Sequence, residues 1–160
     1  MSNNFEVIEK LTQPNAEQIA NLWHYQGEYS FYDMKNDLED YEEIMSPEKR
    51  GDKYFQILNN RGELTAFFCI EANSEISAEI GLGMAPTLVG QGHGSELMEK
   101  IENFLKEKTS FESMLLSVAT FNQRALKVYN RAGFTIVNER KQNSNGAIFD
   151  FYELIKKVGD

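Results

Sequence analysis

The sequence predicts an α+β (α/β) chain folded as one domain, residues 1–160, on a mixed and mostly antiparallel sheet. Three patterns carry that expectation. The first is an apolar strand, residues 80–84, that breaks at Pro86, passes Gly90, Gly92 and Gly94 at every second residue and enters a helix. A second apolar strand, 114–119, follows that helix. Strand, helix and strand in this order make a right-handed parallel crossover. The second pattern is a pair of hairpins, 54–58 with 64–71 and 134–140 with 147–155, bounded by turn residues. The third is a set of apolar stripes at helical spacing, enough for about four helices.

Each element has its own signal. Phe5, Val7 and Ile8 form a short first strand. Asn15, with Gln18 three residues on, reads as the capping box of a helix that buries Ala16, Ile19, Leu22 and Trp23. From His24 to Lys35 the periodicity fails. Five aromatics fall between Trp23 and Tyr32, namely Trp23, Tyr25, Tyr29, Phe31 and Tyr32, and Gly27, Glu28 and Asp33 lie in the same segment. Two readings stand: a loop lining a pocket, or a loop pinned to the core by its rings. Asn36 with Glu39 repeats the capping signature, and Leu38, Tyr41, Ile44 and Met45 make a stripe that stops before Pro47. Asn59-Asn60-Arg61-Gly62 turns the first hairpin, and residues 78–84 lead into the glycines. The helix beyond them buries Leu97, Met98, Ile101, Phe104, Leu105 and the stem of Lys108. Asn122 caps the last helix, whose face holds Ala125, Val128, Tyr129 and Ala132, and Gly133 stops it. Asn143-Ser144-Asn145-Gly146 closes the final hairpin.

Composition narrows the function. A net charge of −9 argues against nonspecific DNA or RNA binding, which needs lysine and arginine against phosphates, and it suits a cationic substrate. No apolar run approaches the ~20 residues of a membrane span. The start, Met-Ser-Asn-Asn-Phe-Glu, has no secretion signal, so a cytoplasmic location is expected. The single cysteine, Cys69, lies in the apolar run 66–70 and reads as a small buried hydrophobe rather than a nucleophile. No metal site is expected.

Glycines between a strand end and a helix start let the backbone approach a ligand closely. The first helical turn adds unpaired amides and about half a positive charge. Together they make a cradle for phosphate or diphosphate, unless the glycines serve only as a flexible turn.

Two segments then resemble a known family, the GCN5-related N-acetyltransferase (GNAT) superfamily, over essentially the whole chain. Val89-Gly90-Gln91-Gly92-His93-Gly94 is similar to its Arg/Gln-x-x-Gly-x-Gly/Ala motif, with Val89 where the family has Arg or Gln. Asn122, Ala125, Tyr129 and Gly133-Phe134 match Asn-x-x-Ala-x-x-x-Tyr-x-x-x-Gly-Phe. The resemblance implies acetyl-coenzyme A as donor, with no metal, and places the parallel crossover at the coenzyme site. Its diphosphate would rest on the amides of Val89, Gly90, Gln91, Gly92, His93, Gly94 and Ser95. Its pantetheine arm would pair with the backbone of Leu82, Met84 or Ala85, and Asn122 would touch the arm or the thioester. Tyr129 would protonate the departing thiolate, because a phenol with a pKa of about 10 carries a proton at neutral pH.

On the same resemblance the base would be Glu79, on the strand before the loop, with Glu71 as second choice. His93 would act through its amide, and His24 is more structural than catalytic. The acceptor, a small-molecule or protein amine rather than nucleic acid or membrane, would meet Glu28, Tyr29, Phe31 and Tyr32, with Asp33 helping to hold its charge. Monomer and homodimer both fit. The alternative within the fold is a non-catalytic acyl-coenzyme A sensor. A dinucleotide oxidoreductase fails, because the strand ending Ser117-Val118-Ala119-Thr120 carries no acid for a ribose.

Overall fold

Alternating apolar residues become seven strands in a computed structural model of the chain, which describes residues 3–144 and 146–159. Met1 and Ser2 of the N-terminal reading, Asn145 of the final turn, and Asp160 lie outside the described residues. The strands are β1 (Val7–Lys10), β2 (Tyr54–Leu58), β3 (Leu64–Ala72), β4 (Ser77–Met84), β5 (Ser113–Ala119), β6 (Thr135–Ser144) and β7 (Ala147–Lys157). Their order in the sheet is β1-β2-β3-β4-β5-β7-β6. The pairs β1–β2, β2–β3 and β5–β7 are antiparallel, whereas β4 and β5 run parallel with Glu79 beside Leu115. The expected crossover is therefore present.

The helices are α1 (Gln13–Leu22), α2 (Leu38–Met45), α3 (Pro47–Arg50), α4 (Gly94–Lys108) and α5 (Gln123–Arg131). Two 3-10 helices, Gly27–Tyr32 and Met34–Asn36, occupy the stretch expected to be an irregular loop. None of the described helices is long and apolar enough to cross a membrane.

Local chemistry moves two helix starts. Thr12, not Asn15, caps α1, its side chain accepting from the Asn15 amide at 3.4 Å. Pro14 explains the shift: it has no amide to donate and suits only a first turn, so the helix begins upstream of it. Asn15 instead donates Nδ2 to Gln56 Oε1 at 2.8 Å. The buried stripe becomes Ala16, Ile19, Ala20 and Trp23, and Leu22 is 69% exposed. Asp37 replaces Asn36 as the cap of α2, and Leu38, its first residue, is exposed rather than buried. The short α3 was not expected. It buries Arg50, whose Nη1 donates to the Ile44 carbonyl at 2.5 Å and to Gln13 Oε1 at 3.0 Å.

Packing groups the described chain into two units, and β3 and β4 contribute residues to both. The first holds residues up to 69 together with 82–89, 144 and 146. Its core joins Trp23, Ile19, Ala20, Ile44, Tyr54 and Phe67. Phe67 stacks on Tyr54 at 6.5 Å, and a side chain at Gly83 would meet its ring at 2.5 Å, so that glycine is there for room.

The second unit holds 70–81, 90–143 and 147–159. Leu97, Met98, Ile101 and Leu105 of α4 are buried in it, as are Met114, Leu116 and Val118 of β5; Phe104 is half-buried and Lys108 exposed. Here β7 is fastened to α4 by charge. Lys156 Nζ lies 2.7 and 2.8 Å from the two Glu102 oxygens, and the Gly159 amide donates to the same carboxylate at 2.8 Å. Both side chains are nearly buried, at 8% and 13% exposure. Removing one partner strands the other in a poor solvent for charge. Glu102→Ala should therefore lower unfolding stability in urea by about 3 kcal/mol, and Glu102→Leu combined with Lys156→Met should recover most of it. A single variant as stable as the parent would show that the pair contributes nothing.

Candidate active site

The glycine loop lies mainly in the second unit. Gly90 and Gly92 have φ of +77° and +84°, a backbone region that side chains with a Cβ avoid, and residues 90–92 are exposed. His93 caps α4 through its backbone, its carbonyl accepting from the Leu97 amide at 3.1 Å, and its ring does not serve as the cap. The first turn of α4 lies at the positive end of a 15-residue helix.

Gly94 answers a different need. A Cβ there would sit 2.9 Å from Val128 Cγ2 of α5, so its bareness lets the two helices touch. One turn away on the same face of α5, Arg124 Nη1 lies 3.2 Å from where a Gly90 Cβ would be. The loop is thus backed by α5 at both ends. These features fit a phosphate-bearing ligand: an exposed loop at 90–92, glycines in place of side chains and a helix dipole of the right sign.

α5 also carries the second motif. Asn122 caps it, its Oδ1 accepting from the Ala125 amide at 3.1 Å. With the oxygen held, the amide nitrogen is the group through which Asn122 could donate to a ligand. Tyr129, next to Val128, is half-buried with its ring 5.8 Å from Phe134. Its carbonyl accepts from the Phe134 amide at 3.0 Å, and Gly133 ends the helix at φ +100°. The structure therefore brings the loop, Asn122 and the helix of Tyr129 together in one unit. Glu79 and Glu71 are exposed there, on β4 and β3. Behind α5, a cleft of about 510 Å³ is lined by Gln123, Leu126, Lys127 and Tyr152 among others, and shares no residue with the loop.

The first unit holds the aromatic segment and the end of β4. Asp33 organises it. Its Oδ1 accepts from the Tyr25 amide at 2.8 Å, and its Oδ2 lies 3.1 Å from His24 Nδ1. Asp33, expected to help hold the substrate's charge, thus has both oxygens in internal contacts, and His24 is one of its partners. Tyr25 donates its hydroxyl to the Met84 carbonyl at 2.7 Å. Burial, and then the Asp33 carboxylate, raise the Tyr25 phenol well above its ordinary value, so it remains a donor. The Ala85 amide is taken by the Thr65 carbonyl at 2.8 Å, so Met84 and Ala85 each have one backbone group already engaged. Glu28 lies in the first turn of the longer 3-10 helix, with Tyr29 half-buried. Phe31 and Tyr32 pack edge to face at 5.1 Å. Cys69 is half-buried. Among the described residues no group of three or more His, Cys, Asp or Glu is placed to hold a metal.

Comparison with known proteins identifies the family and the fold. Residues 17–134 match the profile of the family described as Acetyltransferase (GNAT) family. The acetyltransferase PseH of Campylobacter jejuni is 25% identical over 159 residues, covering 96% of this chain and 94% of that protein. Its crystal structure superposes with a TM-score of 0.65 at 22% identity, covering 94% of this chain and 96% of that one. The spermidine N-acetyltransferase of Vibrio cholerae, solved with coenzyme A and spermine, superposes with a TM-score of 0.75 at 18% identity over 95% of both chains.

The Gly94–Val128 contact can be tested without any ligand. Gly94→Val should overpack the helix pair and cost about 1–3 kcal/mol in urea unfolding, with Val128→Ala restoring part of the loss in the double variant. Additive losses would mean that the two positions do not press on one another.

Proposed function

The chain belongs to the GNAT acetyltransferase family, and from that premise we propose that residues 1–160 act as one domain that moves an acetyl group from acetyl-coenzyme A to a primary amine. The observation that carries the reading is the exposed glycine loop at 90–92, leading into the start of α4, where no side chain serves as the cap. Bound acetyl-coenzyme A supplies a thioester carbonyl that an amine can attack directly in a ternary complex. The chain's own residues do the rest. The amides of residues 89–95 hold the diphosphate, and the backbone of Leu82 and Met84 pairs with the pantetheine arm. Asn122 donates its amide nitrogen toward the arm.

Three proton movements complete the reaction: besides the two below, the second proton that the nitrogen sheds on becoming an amide returns to the Tyr129 oxygen, directly or through water. Glu79, or else Glu71, takes the proton of the ammonium acceptor, directly or through water, to make it a nucleophile. Tyr129 gives its proton to the leaving sulfur. Glu28, Tyr29, Phe31 and Tyr32 contact the acceptor, whose class is a cationic amine. That class suits a chain of net charge −9, and the related Vibrio protein was solved with a polyamine. The reaction is placed in the cytoplasm.

Coenzyme A release measured across a panel of amines tests the whole reading, and acetyl-coenzyme A binding without release for any amine would favour a sensor. Tyr129→Phe should lower the turnover rate about a hundredfold while leaving acetyl-coenzyme A affinity within about twofold. A fully active variant would remove the acid role. Gly92→Val should weaken acetyl-coenzyme A at least about tenfold by calorimetry, since it strains a left-handed position and fills open space over the amides. Unchanged affinity would move the diphosphate elsewhere.

A further inference from the structure

We propose that Arg124 is a phosphate-binding residue of this enzyme, supplying from α5 the positive charge that the glycine loop lacks; this rests on the reading of the loop as the donor site. From Pro86 to Ser95 the sequence holds no lysine or arginine, and Val89 stands at the motif's first position. The next residue into α4 is Glu96, an acid in its first turn. A helix terminus offers only about half a positive charge, less than a diphosphate carries. The loop by itself leaves its ligand's charge unbalanced.

Arg124 is placed to make up the difference. It shares a face of α5 with Val128, which packs on Gly94, and its Nη1 reaches the loop at Gly90, 3.2 Å from the missing Cβ. Any side chain at Gly90 would crowd the guanidinium, so glycine there serves the arginine as well as the turn. Arg124 is exposed, so its planar fork can meet a ligand arriving from solvent. The chemistry it recognises is a phosphate oxyanion of coenzyme A, which has two sources: the diphosphate and the ribose 3′-phosphate.

Calorimetric binding of coenzyme A and of 3′-dephospho-coenzyme A to the parent, Arg124→Ala, Arg124→Gln and Arg124→Lys separates them. Arg124→Ala and Arg124→Gln should each weaken coenzyme A about tenfold, with Arg124→Lys in between because it keeps the charge and loses the fork. An equal loss for both ligands assigns Arg124 to the diphosphate, and a loss confined to coenzyme A assigns it to the 3′-phosphate. Arg124→Ala or Arg124→Gln with parental affinity for both ligands would overturn the proposal while leaving the loop reading intact. A parent that binds neither ligand would overturn the loop reading itself. The unliganded variants should melt with the parent; a lower melting point in step with the lost affinity would make the arginine structural and overturn its role.

Discussion

The closeness of two helices at Gly94 and Val128 is the constraint on which the arrangement of the second unit rests. A methyl group at Gly94 would stand 2.9 Å from Val128, inside the distance at which carbon atoms repel. Without it, the first turn of α4 seats on α5, and the residues of α5 take their places by helical spacing alone. Arg124 falls one turn before the contact and Tyr129 one residue after it, with Asn122 at the cap. Glycines that look alike in the motif thus do different things. Gly90 and Gly92 turn the chain where other residues would be strained, and Gly94 makes room.

The first unit reaches order by another route. Asp33 gathers the Tyr25 amide and the His24 ring, and Tyr25 then ties the segment to the last carbonyl of β4. One carboxylate and one phenol convert a run of aromatics without helical periodicity into two short helical turns. The acid that composition alone offers as a cation ligand is therefore engaged within the fold, and Glu28 is the acid of that segment left facing outward.

Much of this was legible in the residues, for physical reasons. The bounds of β2 are those its apolar run announces, because Asn59-Asn60-Arg61-Gly62 can only turn. The Asn122 cap and the Gly133 stop were readable because each role demands a particular side chain or its absence. The caps of α1 and α2 were misplaced by two competing signals of the same kind. Thr12 and Asn15 can both cap, and only the position of Pro14 within the first turn decides between them. Arg124 escaped because its meaning lies across space, at Gly90, not in the helix that bears it. The Lys156–Glu102 pair spans 54 residues, and no local pattern joins such partners. For the catalytic roles of Tyr129 and Glu79, the residues and the family resemblance carry the reading.

Trp23 is the sole tryptophan of the chain, and it sits 5% exposed at the end of α1 with its ring 6.1 Å from Phe67. Its emission is therefore a built-in optical reporter for the first unit alone. An unfolding curve followed by that fluorescence describes the surroundings of α1, whereas far-ultraviolet dichroism sums every helix, including α4 and α5. Spectroscopists comparing the two signals would be asking whether the loop's supports melt together with the indole's neighbourhood or apart from it.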